Sequence, residues 1–192
     1  MDVVKALKAV FSGEKRVSFS RLSDKDVDFF CSSVKHETQL GLTFRDLSSE
    51  SVRAVSGLCA SGKVEHISFI SCNVGAESLK DVLMSSSVKS LYLSLGDKDD
   101  WVAVDAFLEH LRKSNLEELR LFHTKTSGRL GNLFNAISGS KLQRLSFGEG
   151  SVTGSDFAGL AHVDVPSLKA LHVNCSIGKQ GVIYLADAIS CN

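Results

Sequence analysis

Gly57-Leu58-Cys59-Ala60-Ser61-Gly62-Lys63-Val64 comes within one residue of G-x-x-x-x-G-K-[ST]. In that pattern a glycine-rich loop cradles phosphates and the final hydroxyl holds Mg²⁺. Val64 has no hydroxyl. The surrounding periodicity is also reversed, because a phosphate loop follows a strand and opens a helix, whereas this segment follows a helical run and opens a strand-like one. It reads as a helix end with two turn glycines. Gly148-Glu149-Gly150-Ser151-Val152-Thr153-Gly154 lacks the G-x-G-x-x-G spacing and reads as another turn. Asp97-Lys98-Asp99-Asp100 lacks the glycine and distal glutamate of a calcium loop. Ahead of Trp101 it suits a solvated turn leading into a helix, where acids are favourable. Trp101 itself either covers apolar surface or serves as an exposed contact.

His36, His66, His110, His123, His162 and His172 form no H-E-x-x-H pair, and Cys31, Cys59, Cys72, Cys175 and Cys191 form no C-x-x-C pair. Zinc knuckle and disulfide framework are both disfavoured, and dispersed thiols fit a reducing compartment. No spacing positions a Ser-His-Asp or Cys-His constellation. The expectation is no catalytic site, no metal and no cofactor.

The 192 residues carry 22 Lys+Arg against 22 Asp+Glu. That balance argues against a dedicated nucleic-acid or anionic-membrane binder. Hydrophobic content of 43% and charged content of 23% are ordinary globular values, and Pro166 is the only proline. Lys5 and Lys8 interrupt what a signal peptide would need as an apolar stretch, and no run approaches the ~20 apolar residues of a membrane span. A soluble, cytoplasmic protein is expected.

The elements that must position any site repeat along the chain. Short runs begin at Val17, Leu42, Ile67, Leu91, Leu119, Leu145 and Leu171, at spacings of 25, 25, 24, 28, 26 and 26. Each has two apolar residues around one that is usually polar, the period of a half-buried strand. Three residues earlier stand Val64, Val88, Leu116, Leu142 and Leu168, but Glu14 and Gln39 in the first two units. Between the runs the apolar period lengthens toward 3.6, as in Val27, Phe30 and Val34 or Leu79, Val82 and Leu83; it is weaker in the last two, at Phe157 and Leu160 and at Val182, Leu185 and Ile189. The unit is strand, turn, helix, turn. One unit cannot bury its own apolar face, so neighbours must stack.

Leu116-Glu117-Glu118-Leu119-Arg120-Leu121 and Leu142-Gln143-Arg144-Leu145-Ser146-Phe147 match L-x-x-L-x-L. This pattern and spacing resemble the leucine-rich repeat, in its ribonuclease-inhibitor-like class, over roughly residues 14–191. The resemblance implies an α/β solenoid of about seven repeats, a curved right-handed arc with a parallel β-sheet on the concave side and helices on the convex side. The family usually places Asn or Cys three residues after the second strand aliphatic, where it satisfies backbone groups of the turn; here Cys72 fits. The expected organisation is a capping helix over residues 1–13, with Val3, Val4, Leu7, Val10 and Phe11 on its stripe, and a repeat domain over 14–192. The last helical run stops close to Asn192 with no recognisable cap, so either the final repeat caps itself or a further segment or a partner contacts that C-terminal edge.

Strand alternation converts the sequence into a surface map. Residues between the strand aliphatics read Ser18, Thr43, Ser68, Tyr92, Arg120, Ser146 and His172, and the next outward column reads Ser20, Arg45, Ile70, Ser94, Phe122, Gly148 and Asn174. Tyr and Arg are favoured interface anchors. The candidate partner-binding residues are Tyr92, Arg120 and Phe122, with Ile70, Leu95, His123 and His172 around them. Glu117 and Glu118 beside Arg120 could instead neutralise it, and the aromatics could merely pack across strands. The basic group Lys15, Arg16, Arg21 and Arg45 reads as a solvated face. The resemblance implies a non-catalytic protein-interaction module or scaffold; the alternatives are a regulator of another enzyme, similar to leucine-rich-repeat activators of Ran-type GTPases, or a structural subunit of a large assembly.

Gly62 and Lys63 are expected to bind neither ATP nor GTP. Calorimetric titration with Mg²⁺ present checks this, and micromolar binding abolished by Lys63→Ala would overturn it.

Overall fold

The computed structural model describes residues 2–34, 39–94, 107–123, 130–148, 154–163 and 165–191. Helix α1 (Val3–Phe11) precedes β1 (Arg16–Ser20), and α2 (Asp24–Ser33) leads to β2 (Leu40–Arg45). The alternation continues through α3 (Ser49–Ala60), β3 (Val64–Ile70), α4 (Ala76–Met84) and β4 (Ser90–Ser94). Residues 107–111 are the described part of α5. There follow β5 (Glu118–Phe122), α6 (Leu130–Ile137), β6 (Arg144–Gly148), a 3₁₀ helix (Gly154–His162), β7 (Ala170–Asn174) and α7 (Gly178–Cys191). All seven strands lie in one open sheet in chain order, each parallel to the next. This is the repeat solenoid that the spacing predicts.

The register explains the core. Val17, Leu42, Ile67, Leu91, Leu119, Leu145 and Leu171 pair in one row, and Phe19, Phe44, Phe69, Leu93, Leu121, Phe147 and Val173 in the next. In β1 to β6 these residues are at most 4% exposed. Phe19 stacks on Phe44, and Phe30 of α2 meets its edge, with ring centroids 4.9 and 4.7 Å away. Helical residues Val27, Val52, Val55, Leu79, Val82, Leu111 and Phe134 close the core from the other side.

Local chemistry sets the helix starts. Ser23 caps α2 by accepting from Asp26 N, and its hydroxyl donates back to the Asp26 carboxylate. Ser48 caps α3 by accepting from Ser51 N. The hydroxyls of Ser48 and Ser51 also donate to Asp24, tying one repeat to the next. α3 ends at the Ser61 cap followed by Gly62 at φ +81°, so the phosphate-loop look-alike is a helix end.

After β1, β2, β3 and β5 the chain turns through a left-handed residue: Arg21, Asp46, Ser71 and His123. The first three keep the ladder running, Arg21 N to Arg45 O, Asp46 N to Ile70 O and Ser71 N to Ser94 O. Cys72 plays the turn role that the resemblance implies. Its Sγ accepts from Leu47 N at 3.5 Å and donates to a neighbouring carbonyl, with Phe44 O at 3.6 Å and Ile70 O at 3.3 Å.

Three details depart from the expected pattern. The second unit's missing aliphatic is supplied by Leu40, which opposes Val64 because the register shifts between Leu40 and Gly41. The sixth unit returns as a 3₁₀ helix, where the apolar period was weak. On α1 the buried stripe is Val3, Ala6, Leu7 and Val10, while Val4 and Phe11 are 58% and 60% exposed. Positions 4 and 11 lie one residue round the helix, about 100° off the buried face.

No helix among the described residues is long and apolar enough to cross a membrane. Cys31, Cys59 and Cys175 are free thiols, and burial pushes the Cys31 thiol up to about 12.

Leu121→Ala is expected to cost roughly 2–5 kcal/mol, as a large-to-small change at a buried strand position. Denaturant unfolding measures it, and a loss below about 1 kcal/mol would contradict the buried placement of this row.

Candidate functional site

Three columns of side chains alternate with the core rows and face away from the helices. The first, Arg16, Gly41, His66, Ser90, Glu118, Arg144 and Ala170, pairs strand to strand along the sheet. The second runs Ser18, Thr43, Ser68, Tyr92, Arg120, Ser146 and His172, and the third Ser20, Arg45, Ile70, Ser94, Phe122, Gly148 and Asn174. The face is hollowed. A depression of about 430 Å³ is lined from Arg16 on β1 to Arg144 on β6, with Thr43, Ser68, Tyr92 and Arg120 between. A second depression lies on the β6 side, against Arg120, Phe122, Arg144, Ser146 and His172.

Tyr92 and Phe122 stack at 5.4 Å between centroids and 21° between planes, both rings half-buried. Two glycines shape this face by what they lack. A β-carbon on Gly148 would stand 2.1 Å from Cε1 of Phe122, so the ring lies flat across β6. A β-carbon on Gly41 would stand 2.9 Å from Cγ of Arg16, whose side chain crosses β2 toward the hollow in the same way. At both positions only glycine leaves the room that the neighbour occupies. Ser94, opposite Phe122, is left 5% exposed.

Glu118 is the polar hub. Its side chain is 12% exposed, and one oxygen accepts from Arg120 Nε at 2.8 Å and Nη2 at 2.6 Å. Arg144 Nε stands 3.6 Å from the same oxygen, and Ser90 donates to the other at 3.1 Å. Partial burial pushes the Glu118 carboxyl up, but the hydrogen bonds and charge of Arg120, with Ser90 and Arg144 behind, outweigh it. The net shift is downward, below the ordinary glutamate range. Arg120 and Arg144 keep side-chain exposures of 50% and 52%. Glu117 is engaged elsewhere, with Lys89 at 3.0 Å.

The sequence-derived residues are thus partly gathered. Tyr92, Arg120 and Phe122 are adjacent: Arg120 is the register partner of Tyr92, and Phe122 stacks on Tyr92. His172 lines the second depression with Arg120 and Phe122. Ile70 sits one strand before Ser94 and lines neither depression. His123 is exposed just past β5, at φ +48°. Leu95 lies outside the described residues, as do Trp101 and Asp97 to Asp100. In the first column, Glu118 pairs with Arg120 as its place in the sequence suggested, Arg16 of the basic group lines the hollow, and Arg144 is what the sequence reading missed; extending the same alternation one step upstream would have exposed it.

No family model matches the chain, and no curated protein matches it in sequence. Among solved structures it is similar to the tropomodulin C-terminal domain from Caenorhabditis elegans, at 10% identity and a TM-score of 0.42, over 100% of this chain and 93% of that one.

The lowered carboxyl of Glu118 sets a pH dependence. A carboxyl held below its unfolded pKa of about 4.3 stabilises the fold above that pH, and the contribution fades as pH falls through the folded value. The stability difference between wild type and Glu118→Gln is therefore expected to be constant from pH 7 to about 5 and to shrink below about 4. Thermal unfolding across that range measures it; a difference independent of pH would refute the linkage.

Proposed function

We propose that the chain is a non-catalytic interaction module that binds a protein partner on the concave face of its sheet. The patch is centred on Tyr92, Arg120 and Phe122, and His172 extends it toward β7. The observation that carries this reading is the Tyr92–Phe122 stack, half-buried on a hollowed face and laid flat over Gly148. Aromatic side chains held rigid beforehand lose little freedom on binding, and Tyr and Arg are frequent anchors of interfaces. Ile70 and His123 belong to the rim of the proposed patch, and Leu95 is a further candidate from the sequence.

A second reading, a structural subunit joined through its C-terminal end, is favoured by a different observation. An apolar hollow at that end is lined by Leu160, Val165, Leu168, Leu171, Val173 and Leu185. There the strand residues Leu171 and Val173 are only partly buried, unlike their equivalents in β1 to β6.

The double change Tyr92→Ala with Phe122→Ala separates these. Loss of the stack costs about 0.5–1.5 kcal/mol beyond the apolar area that the two half-buried rings cover, so the variant is expected to stay folded with a lower melting temperature. Truncated anchors typically cost about 2 kcal/mol or more of binding, near thirtyfold. Affinity purification from the source cell with mass spectrometry is expected to lose a partner with this variant and to retain it with Ser18→Ala and Ser68→Ala. Retention by the aromatic double variant would refute the concave patch and leave the C-terminal edge.

A further inference from the structure

We propose that the segment recognised in the concave hollow is acidic: an extended stretch of the partner protein with carboxylates toward both ends, gripped by Arg16 at one side and by Arg120 and Arg144 at the other. This rests on the reading of the concave face as the binding surface.

The first argument is charge. The chain as a whole is balanced, 22 against 22. The three outward columns are not: they hold Arg16, Arg45, Arg120 and Arg144 against Glu118 alone. Arg16 and Arg45 have no acidic partner among the described residues. Arg120 and Arg144 share one carboxylate, so the pair retains a net positive charge while about half of each side chain stays exposed. The balancing acids sit elsewhere, for example Asp24, Asp26 and Asp28 on α2.

The second argument is placement. Arg16 is laid over Gly41 and so reaches into the hollow rather than standing off its edge. Glu118 holds the opposite guanidinium in place from beneath, which makes it a positioning residue for Arg120. An arginine already fixed at one side loses less rotamer freedom when it meets a carboxylate.

The third argument is length. β1 and β5 are separated by four strand intervals, about 19 Å at ~4.8 Å each. One carboxylate or phosphate cannot touch both ends. An extended peptide advancing about 3.3 Å per residue crosses that distance in roughly six residues. Between the ends the lining is Ser18, Thr43, Ser68 and Ser90, small side chains that leave a chain room. Tyr92 borders this floor and, with Phe122, offers an apolar side chain of the segment a flat surface. A nucleic-acid strand fits less well, because it would lay a phosphate over nearly every position, including Glu118, and the three columns contain no lysine.

Fluorescence anisotropy on the full chain tests this with three labelled probes. One is a peptide of about eight residues with paired glutamates at each end and a central phenylalanine. The others are its glutamine-substituted twin and a single-stranded DNA octamer. The acidic peptide is expected to bind at least tenfold tighter than the twin, and more weakly as salt rises to about 0.15 M. Arg16→Gln, and Arg120→Gln with Arg144→Gln, are each expected to weaken the acidic peptide tenfold or more and to leave the twin unchanged. Glu118→Gln keeps an oxygen that can hold Arg120 and removes the competing charge, so it should tighten the acidic peptide; a purely structural Glu118 would not give that gain. Should the double arginine variant fail to fold by circular dichroism, Arg16→Gln decides, being exposed and outside the Glu118 cluster. Equal binding of both peptides, no binding up to about 1 mM, insensitivity to Arg16→Gln, or tighter binding of the DNA would each overturn the proposal. Loss of the cellular partner by the Tyr92 and Phe122 variant alongside any of these would sink the acidic segment alone and leave the concave surface standing.

Discussion

Everything in this structure depends on parallel strand stacking in strict register. A strand–helix unit of about two dozen residues has an apolar stripe that it cannot bury alone. Each unit therefore lends one wall to the next. Because side chains alternate along a strand, a slip of one residue would turn every core side chain out and every surface side chain in. The rows from Val17 to Leu171 and from Phe19 to Val173 hold that register across six interfaces. The turns defend it with separate devices: left-handed residues that prolong the ladder after β1, β2 and β3, and the Cys72 thiol bridging backbone groups of neighbouring repeats.

The same register makes the outward face a lattice, and its exceptions are informative. Strand neighbours on one face stand about 4.5–5.5 Å apart. At that distance a large side chain can lie flat only where its neighbour has none. Gly41 and Gly148 provide the two openings, and Arg16 and Phe122 fill them. Long side chains that would otherwise sample solvent are thereby fixed across the sheet. The Glu118 cluster does by hydrogen bonding what the glycines do by omission. Together they give the face a preset shape, in which the aromatic stack and the arginines hold positions defined before any partner arrives.

Much of the fold was legible because burial imposes it. Six similar spacings and a period switching from 2 to 3.6 specify a stacked strand–helix unit whatever the loops do. Local exceptions were less legible. Gln39 stands where an aliphatic was due, and only the register shift at Gly41 reveals Leu40 as the substitute. Val4 and Phe11 read as part of the α1 stripe because apolar type alone does not say where helix phase places a residue. Of the candidate site, the columns holding Tyr92, Arg120 and Phe122 followed from alternation. That the aromatics pack across strands was one of the two readings offered; that Tyr92 and Phe122 meet diagonally, from different rows of adjacent strands, was not legible. The glycine openings were invisible for a related reason: what Gly148 permits is decided by a side chain 26 positions earlier in the chain.

Net charge shows the limit of composition most clearly. A chain with equal acids and bases reads as electrostatically neutral, and that reading disfavours a broad polyanion binder. Yet neutrality is a sum, and a solenoid separates its terms. Helices and sheet draw their outward residues from different parts of each repeat, so each surface can carry its own sign while the total stays at zero. Here the sheet columns keep four arginines and one glutamate, and the glutamate is spent holding two of those arginines. Gathered on one hollowed face, such a small excess acts over short distances more strongly than the same charge spread over the whole surface. The sign of the sheet face is therefore written in which column each arginine occupies, and the column is fixed by the same alternation that buries the core.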